Sequence, residues 1–234
     1  MFVLAGGFGT RLRSVVSDVP KPLAPVGGKP FISYLIAHWI EQGINDFVFL
    51  LHYEAGQIEA VLESMSADPK FSHVNFRAIT EEVPLGTGGS LLHAIKKLGV
   101  KDSFLVANAD TWLGSGVNEL CGVLPCTLTA VNVPNSQRYG ALRFEGTKIT
   151  LFEEKSSSVK EGFVNSGLYH LTPEIFDGEE IGSSFSLEDR IFPRLVASRA
   201  LSLVKLDDSF IDIGVPSDYL KFCDFIESGR KNEI

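Results

Sequence analysis

A glycine-rich turn followed by two cations is the first feature of this chain that could do chemistry. Gly6, Gly7 and Gly9 lie within four residues, directly after an apolar start. Such a turn lets the backbone approach a ligand closely and presents a row of N–H groups. Arg11 and Lys21 add two fixed positive charges nearby in the sequence. The combination predicts a site for the phosphate groups of a nucleotide, and the alternative is a plain glycine turn beside two solvated cations.

Two familiar phosphate-binding loops are excluded by the spacing of these residues. A dinucleotide-binding loop requires a third glycine three residues after Gly9, where this chain has Leu12. A P-loop requires Gly-Lys followed by Ser or Thr after a four-residue gap, and the sequence contains no such run. The turn is therefore typical of another class of nucleotide-binding protein.

The stretch Leu4–Leu12, together with Pro20-Lys21-Pro22, resembles the Gly-x-Gly-Thr-Arg-Leu … Pro-Lys-Pro motif of the sugar-1-phosphate nucleotidyltransferases. Within that family it is most similar to the heptose-1-phosphate guanylyltransferases. The resemblance implies attack of a sugar 1-phosphate oxygen on the α-phosphorus of a nucleoside triphosphate, with loss of pyrophosphate. It implies that Arg11 holds the β- and γ-phosphates and that Lys21 stabilises charge on the α-phosphate. The backbone that contacts the nucleotide would comprise Leu4, Ala5, Gly6, Gly7, Gly9 and Thr10.

Two aspartates far apart in the sequence are candidate metal ligands. Asp110 follows an apolar strand, at the edge where open α/β sheets place their ligands, and Asp212 occupies a similar context. Two carboxylates can bind Mg²⁺ while water and phosphate oxygens complete its coordination. The resemblance implies that these two positions hold Mg²⁺, whereas each aspartate alone would be read as a turn or helix cap.

The segment from Glu81 to Gly89 is similar to the base-recognition loop of the family, with Gly86 and Thr87 among its nucleotide-contacting positions. Pyrimidine-using relatives have an amide side chain where this chain has Glu81. A carboxylate only accepts hydrogen bonds, and the Watson–Crick edge of guanine offers two donors, N1–H and N2–H₂. The sequence therefore favours GTP, although a Glu81 side chain that faces solvent is the alternative.

Three further stretches are similar to sugar-binding motifs of the family. Gly140 would bring its backbone against the sugar ring, and Asn165 would orient sugar hydroxyls. Glu154 offers a carboxylate to sugar hydroxyls, and Lys155 offers an ammonium to the acceptor phosphate. A Glu-Glu-Lys run alone would be read as a solvated strand edge.

The elements that must position these residues alternate between strands and helices up to about Leu124, and become β-rich after Pro125. The resemblance and this pattern predict an α/β protein with a Rossmann-like, mostly parallel mixed sheet, helices on both faces and a β-rich sugar-binding portion. We expect a single domain over residues 1–234, with a nucleotide-binding part over about 1–124 and a sugar-binding part over about 125–234.

The composition of the chain limits the partners and the cellular location that we expect for it. The net charge of −8 argues against nucleic-acid binding, and no apolar stretch approaches the ~20 residues of a membrane span. Three cysteines without a Cys-x-x-Cys pair, and no leader-like start, predict a cytoplasmic protein without a disulfide framework or a zinc site. The five histidines show no metal-ligand spacing. Dimerisation is common among relatives, so a homodimer is possible.

The acceptor favoured by the resemblance is D-glycero-α-D-manno-heptose 1-phosphate, giving GDP-heptose for capsule or lipopolysaccharide biosynthesis. Mannose 1-phosphate is the closest competitor, since the two sugars differ only at the C6 side chain. A catalytically silent, nucleotide-sugar-binding regulatory homologue is a second alternative. It is weakened because Arg11, Lys21, Asp110 and Asp212 are all present. A glycosyltransferase is the third, and Asp110-Thr111-Trp112 lacks the second aspartate of the Asp-x-Asp pattern that such enzymes use.

Overall fold

The computed structural model describes residues 1–16, 18–139, 141–153 and 160–229. The chain divides into two compact units. The first unit comprises Met1–Pro84, Asn108–Gly114 and the described residues from Ser209 onward, and the second comprises Leu85–Ala107 and Ser115–Asp208. The predicted division near residue 124 does not coincide with these units. That functional division, and the single domain over 1–234, stay predictions.

The strands and α-helices of the described residues are, in chain order, β1 (Phe2–Leu4), β2 (Pro25–Val26), β3 (Lys29–Pro30), α1 (Phe31–Glu41), β4 (Asp46–Leu51), α2 (Ala55–Ala67), β5 (Asn75–Thr80), α3 (Gly86–Leu98), β6 (Phe104–Asn108), β7 (Thr111–Leu113), α4 (Val117–Cys121), β8 (Thr127–Val133), β9 (Leu142–Glu145), β10 (Lys148–Phe152), β11 (Gly162–Leu171), α5 (Phe192–Ala197), β12 (Ser202–Leu206), β13 (Phe210–Asp212) and α6 (Pro216–Glu227). Short 3₁₀ turns cover Thr10–Leu12 and Lys21–Leu23, and a π-helical turn, Leu187–Ile191, leads into α5.

The first unit contains three parallel strands in the order β5-β4-β1. The central strand β4 is apolar from Phe47 to Leu51 and buried along that length, which is typical of a parallel strand covered on both faces. The buried residues of helix α1 recur every three or four positions, so they lie on one face of the helix, and that face packs in the core.

A short two-stranded antiparallel sheet brings distant parts of the first unit together. Strand β7 pairs with β13, and Thr111 lies opposite Asp212. Trp112 fixes this strand pair, because its indole stacks on His38 and packs against Phe222 of α6, and its Nε1–H donates to Ser209 Oγ at 3.1 Å. The residues on either side of β7 and β13 are therefore held by a buried aromatic cluster.

The second unit has a mixed sheet in the order β6-β11-β8-β12-β10-β9. Strand β12 is parallel to β8, and the other pairs are antiparallel. The long strand β11 pairs with β6 on one side and β8 on the other, and its register against β8 shifts between Asn165 and Tyr169. The α/β fold with a mixed sheet is confirmed, with the parallel β5-β4-β1 strands in the first unit and most antiparallel pairs in the second.

The apolar runs Phe2–Leu4 and Thr127–Val133 predict strands, and the segment from Pro216 predicts a helix; the structure contains all three. Lys29-Pro30 predicts the start of a helix, and this boundary was wrong, because the two residues pair with β2 and α1 begins at Phe31. The strand expected before Asp212 is present as β13, whereas the short strands β7 and β12 were not predicted. Within the described ranges, none of the helices is long and apolar enough to cross a membrane.

Candidate active site

Lys21 and two aspartates from distant parts of the chain meet in the first unit. The Lys21 Nζ donates to Asp110 Oδ2 at 2.5 Å and to Asp212 Oδ1 at 3.2 Å, across 89 and 191 residues of sequence. Lys21 opens a 3₁₀ turn after Pro20, Asp110 lies between β6 and β7, and Asp212 ends β13. The β7–β13 pairing thus places the two carboxylates side by side, and the ammonium lies between them.

The surroundings of Asp110 favour its ionised form. Burial by itself would raise the pKa of Asp110. The Lys21 ammonium and the Thr111 hydroxyl, which donates to Asp110 Oδ1 at 3.1 Å, outweigh that effect and hold the pKa below its usual value. Asp212 also accepts from the N–H of Gly214 at 2.8 Å. Both side chains are therefore oriented toward the ammonium as acceptors.

Two glycines leave the space that Lys21 occupies. Gly9 has φ +59°, and a Cβ there would lie 2.9 Å from Lys21 Cβ. A Cβ on Gly214 would lie 2.7 Å from Asp212 Oδ1 and 3.0 Å from Lys21 Nζ. Gly9 was named from the sequence as a phosphate-turn residue. Gly214 was missed, and its signal was the Ile-Gly pair directly after Asp212.

The glycine-rich turn runs on from β1. The Ala5 N–H donates to Leu50 O at 3.0 Å, and Leu4 O accepts from Ala109 N at 3.1 Å, so the turn begins beside the residue that precedes Asp110. Nothing in the described chain lies within 4 Å of a Cβ built on Gly7. Thr10 and Arg11 form the 3₁₀ turn that follows, and the Arg11 side chain is exposed. The turn thus offers open backbone next to the cluster of Lys21, Asp110 and Asp212.

Glu81 lies just after β5 and is 8 % exposed, so the alternative in which it faces solvent is wrong. Its N–H donates to Leu51 O, and its carbonyl oxygen contacts His52 Nδ1 at 3.0 Å. The ring of His52 packs edge-on against Phe8 of the glycine-rich turn. The backbone of Glu81 is therefore tied to the same part of the first unit as that turn.

Gly86 and Thr87 begin α3 in the second unit and pack against residues 183–187. The N–H groups of Gly88 and Gly89 donate to Phe185 O at 3.0 and 3.2 Å. A Cβ on Gly86 would lie 2.6 Å from Phe185 O, and one on Gly88 would lie 2.3 Å from the Phe185 ring. The glycines of this motif are thus required by close packing, a reason the sequence did not reveal.

Asn165 lies on β11 in the second unit, where the register against β8 shifts. Its Oδ1 accepts from the N–H of Gly167 at 3.1 Å, and its Nδ2 donates to the hydroxyl of Tyr169 at 3.0 Å. Gly140, Glu154 and Lys155, the other predicted sugar-binding residues, lie outside the described residues, and their roles stay predictions.

The Lys21 cluster also fits a divalent metal ion. Among the described residues, no three His, Cys, Asp or Glu side chains are grouped to hold a metal ion. Asp110 and Asp212 nevertheless converge on one cation through oxygen atoms, the ligand type that Mg²⁺ prefers. Two protein carboxylates with water and phosphate oxygens would complete an octahedron, provided that the ammonium moves aside.

A parallel strand leading into a glycine-rich turn, with a lysine and two aspartates beside it, defines a protein that handles nucleotide phosphates. The chain belongs to the nucleotidyl transferase family, whose model matches residues 1–229.

Within this family, the chain is similar to sugar-1-phosphate guanylyltransferases. It is 31% identical over 221 residues to D-glycero-alpha-D-manno-heptose 1-phosphate guanylyltransferase of Campylobacter jejuni, covering 94% of this chain and 96% of the relative. The crystal structure of HddC from Yersinia pseudotuberculosis has a TM-score of 0.83 and 31% identity, covering 96% of this chain and 98% of HddC, and HddC has also been solved with GMP-PN. A probable mannose-1-phosphate guanylyltransferase of Oryza sativa is 33% identical over 93% of this chain, which spans 62% of that relative.

Proposed function

We propose that this protein transfers GMP from GTP to a sugar 1-phosphate, with D-glycero-α-D-manno-heptose 1-phosphate as the favoured acceptor, yielding GDP-heptose and pyrophosphate. The observation that carries the proposal is the convergence of Lys21, Asp110 and Asp212 beside the glycine-rich turn. The full-length match to a heptose 1-phosphate guanylyltransferase supports this acceptor over mannose 1-phosphate.

The reaction needs charge neutralisation and in-line geometry rather than a protein nucleophile. An oxygen of the sugar 1-phosphate forms a bond to the α-phosphorus, and the bond from that phosphorus to the bridging oxygen of the β-phosphate breaks. Lys21 stabilises the charge that builds on the α-phosphate. Arg11 and the N–H groups of Gly6, Gly7 and Gly9 hold the outgoing phosphates.

Asp110 and Asp212 would hold Mg²⁺, which supplies a Lewis acid for the phosphate oxygens when it is bound. Glu81 would accept from guanine, and Leu4, Ala5, Thr10, Gly86 and Thr87 would line the nucleotide. Gly140, Glu154, Lys155 and Asn165 would contact the sugar phosphate.

The proposal also includes a cytoplasmic location, a role in capsule or lipopolysaccharide biosynthesis and a possible homodimer.

Pyrophosphate release tests this function. The protein is incubated with Mg²⁺, one of GTP, ATP, CTP, UTP or dTTP, and a panel of sugar 1-phosphates that includes the manno-heptose and mannose compounds. We expect release with GTP and the heptose 1-phosphate. Release with another base would overturn the role of Glu81, preference for mannose 1-phosphate would overturn the acceptor, and silence with every pair would favour the regulatory homologue.

A matched pair of lysine variants tests the role of the cluster. Lys21→Ala should lower kcat at least about 100-fold, because an electrostatic contact of this kind is worth several kcal/mol in the transition state. Lys70→Ala removes an exposed lysine of the same unit and should leave kcat unchanged. Equal turnover of the two variants would refute the role given to Lys21.

A further inference from the structure

His52 lies within the first unit, between the two stretches of that unit that are proposed to bind the nucleotide. It directly follows β4, which pairs with β1 on one side and with β5 on the other. Strand β1 leads into the glycine-rich turn, and β5 ends at Thr80, just before Glu81. Because the carboxyl ends of parallel strands meet at one edge of a sheet, the residue after the central strand is flanked by both stretches. His52 is therefore placed to contact both.

One ring nitrogen of His52 holds the backbone of Glu81. The His52 Nδ1 lies 3.0 Å from the carbonyl oxygen of Glu81. A carbonyl oxygen only accepts, so Nδ1 carries the proton and donates it, and Nε2 of the neutral ring is then unprotonated. The N–H of Glu81 donates to Leu51 O at 2.8 Å. Both backbone polar groups of Glu81 are therefore engaged, and the Cα that carries its carboxylate is held from either side.

The same residue supports the glycine-rich turn. A Cβ on Gly6 would lie 3.3 Å from both the Cβ and the backbone nitrogen of His52, so the start of the turn packs directly on this residue. Further along the turn, the Phe8 ring meets the His52 ring edge-on at 5.7 Å between centroids and the Tyr53 ring at 5.4 Å. Phe8 is nevertheless 47 % exposed, so these rings account for much of its packing. The two contacts stand on either side of Gly7, whose backbone is open.

We propose that His52 is a positioning residue that couples the phosphate-binding turn to the carboxylate that reads the base. Its Nδ1–H holds the backbone of Glu81, and its ring supports Phe8. This inference rests on the proposed function, because it takes the turn as the contact of the phosphates and Glu81 as the acceptor for guanine. The hydrogen bond then sets the discrimination between bases, and the ring contact sets the affinity for the phosphates of any nucleotide.

Two substitutions of His52 separate these contributions. His52→Phe keeps an aromatic ring against Phe8 and removes the donor to Glu81. His52→Asn removes the ring, but its side-chain NH₂ group takes the place of Nδ1–H, so the donor is retained. The proposal therefore predicts opposite losses in the two variants, whereas a residue that only stabilises the fold would affect every nucleotide alike in both.

Calorimetric titration with GTP and with ITP, in the presence of Mg²⁺ and without a sugar 1-phosphate, measures both losses. Inosine lacks the N2 amino group of guanine and so offers one donor fewer to Glu81. The wild type should bind GTP about tenfold more tightly than ITP, a difference of about 1.4 kcal/mol. In His52→Phe this ratio should fall to about threefold or less. His52→Asn should keep the tenfold ratio and bind both nucleotides about fivefold more weakly, by about 1 kcal/mol.

His73 provides the matched control, because it is an exposed histidine of the same unit. His73→Phe and His73→Asn should bind GTP and ITP as the wild type does. If His52→Phe keeps the full ratio between the two nucleotides, the hydrogen bond to Glu81 does not position the carboxylate and the proposal is overturned. Loss of that ratio in His52→Asn would overturn it as well, since this variant retains the donor.

A measurement without any nucleotide separates failure of this proposal from failure of the proposed function. Long-range ¹H–¹⁵N NMR spectra distinguish the protonated from the unprotonated ring nitrogen of a neutral histidine, and the His52 signals are assigned through their loss in His52→Asn. We expect the proton on Nδ1. If the wild type binds GTP and ITP equally but has this tautomer, the guanine contact fails and the hydrogen bond that positions Glu81 stands. A proton on Nε2 instead would overturn the positioning role, whatever the binding or activity.

Discussion

Lys21 lies where a metal ion would lie, between the carboxylates of Asp110 and Asp212. The ammonium satisfies both acceptors, so the aspartates are held together by a charge that belongs to the chain. A divalent ion that binds there must compete with this lysine. Phosphate groups of a nucleotide would assist the ion, because they offer the ammonium a new partner. Metal and nucleotide are therefore expected to bind cooperatively.

Removal of the lysine charge should expose this competition. Lys21→Met keeps the apolar stem and removes the ammonium, so we expect the protein without nucleotide to bind Mn²⁺ roughly tenfold more tightly, about 1.4 kcal/mol. Titration followed by electron paramagnetic resonance of free Mn²⁺ measures the affinity. Lys70→Met is the control and should bind like the wild type. Weaker binding by Lys21→Met than by the wild type would contradict the competition.

At the scale of elements, the start of α3 is shaped by its contact with residues 183–187. Gly88 has no side chain because the ring of Phe185 occupies that space. The same contact brings Thr87 to Leu187 and Glu188. Close packing here therefore also fixes the position of Thr87, one of the residues predicted to contact the nucleotide.

Gly88→Ala should destabilise the protein by about 1–3 kcal/mol, because its Cβ would lie 2.3 Å from the Phe185 ring. Chemical denaturation measures the loss. The added Phe185→Leu substitution vacates part of that space and should recover some of it. Gly122→Ala is the control in the same unit, since its Cβ would meet the nearest atom at 3.5 Å. A Gly88→Ala protein as stable as this control would refute the packing argument.

Helix α6 is attached to the segment after Lys21 by Tyr219, whose hydroxyl donates to Pro25 O. Burial, with the neighbouring Cys223, raises the pKa of Tyr219 to about 12. In the unfolded chain a tyrosine ionises near ~10. Between these values the folded protein retains a proton that the unfolded chain has lost, so stability falls as the pH rises through this range.

The free energy of unfolding of the wild type should therefore fall relative to that of Tyr219→Phe between about pH 9 and pH 11, by about 1 kcal/mol. Urea denaturation of both proteins at the two pH values measures the difference. The phenylalanine variant is the reference for the groups that titrate independently of Tyr219, and Cys223 is replaced by serine in both proteins because its own pKa depends on Tyr219. A difference that does not change with pH would show that Tyr219 has an ordinary pKa in the folded protein.

At the scale of the whole molecule, the sequence predicted the α/β class, most elements, and Lys21, Asp110 and Asp212 as site residues, but not the direct contact of the lysine with both aspartates. The elements could be predicted because apolar periodicity reports local structure. The site residues could be predicted because the motif around Lys21 is long. The run Ser186-Leu187-Glu188-Asp189 predicts a helix cap, and the structure contains it, since the Asp189 N–H donates to Ser186 Oγ at 2.9 Å. The contact of Glu188 with Thr87 was not predicted. That hydrogen bond spans 101 residues of sequence, and no local pattern encodes such a contact. Strand β7 and its pairing with β13 were missed for the same reason.

The first unit is built from three separate stretches of the chain, so its site can form only after the ribosome has synthesised all three. Lys21, Asp110 and Asp212 come from separate stretches, and Asp212 lies 191 residues after Lys21. A nascent chain whose β13 is still in the exit tunnel cannot assemble this cluster, even when β1 and its glycine turn have long been translated. Contacts of such sequence separation form late, after their loop entropy has been overcome. Competence to bind nucleotide and metal together therefore arises only once translation has passed the last of these three residues.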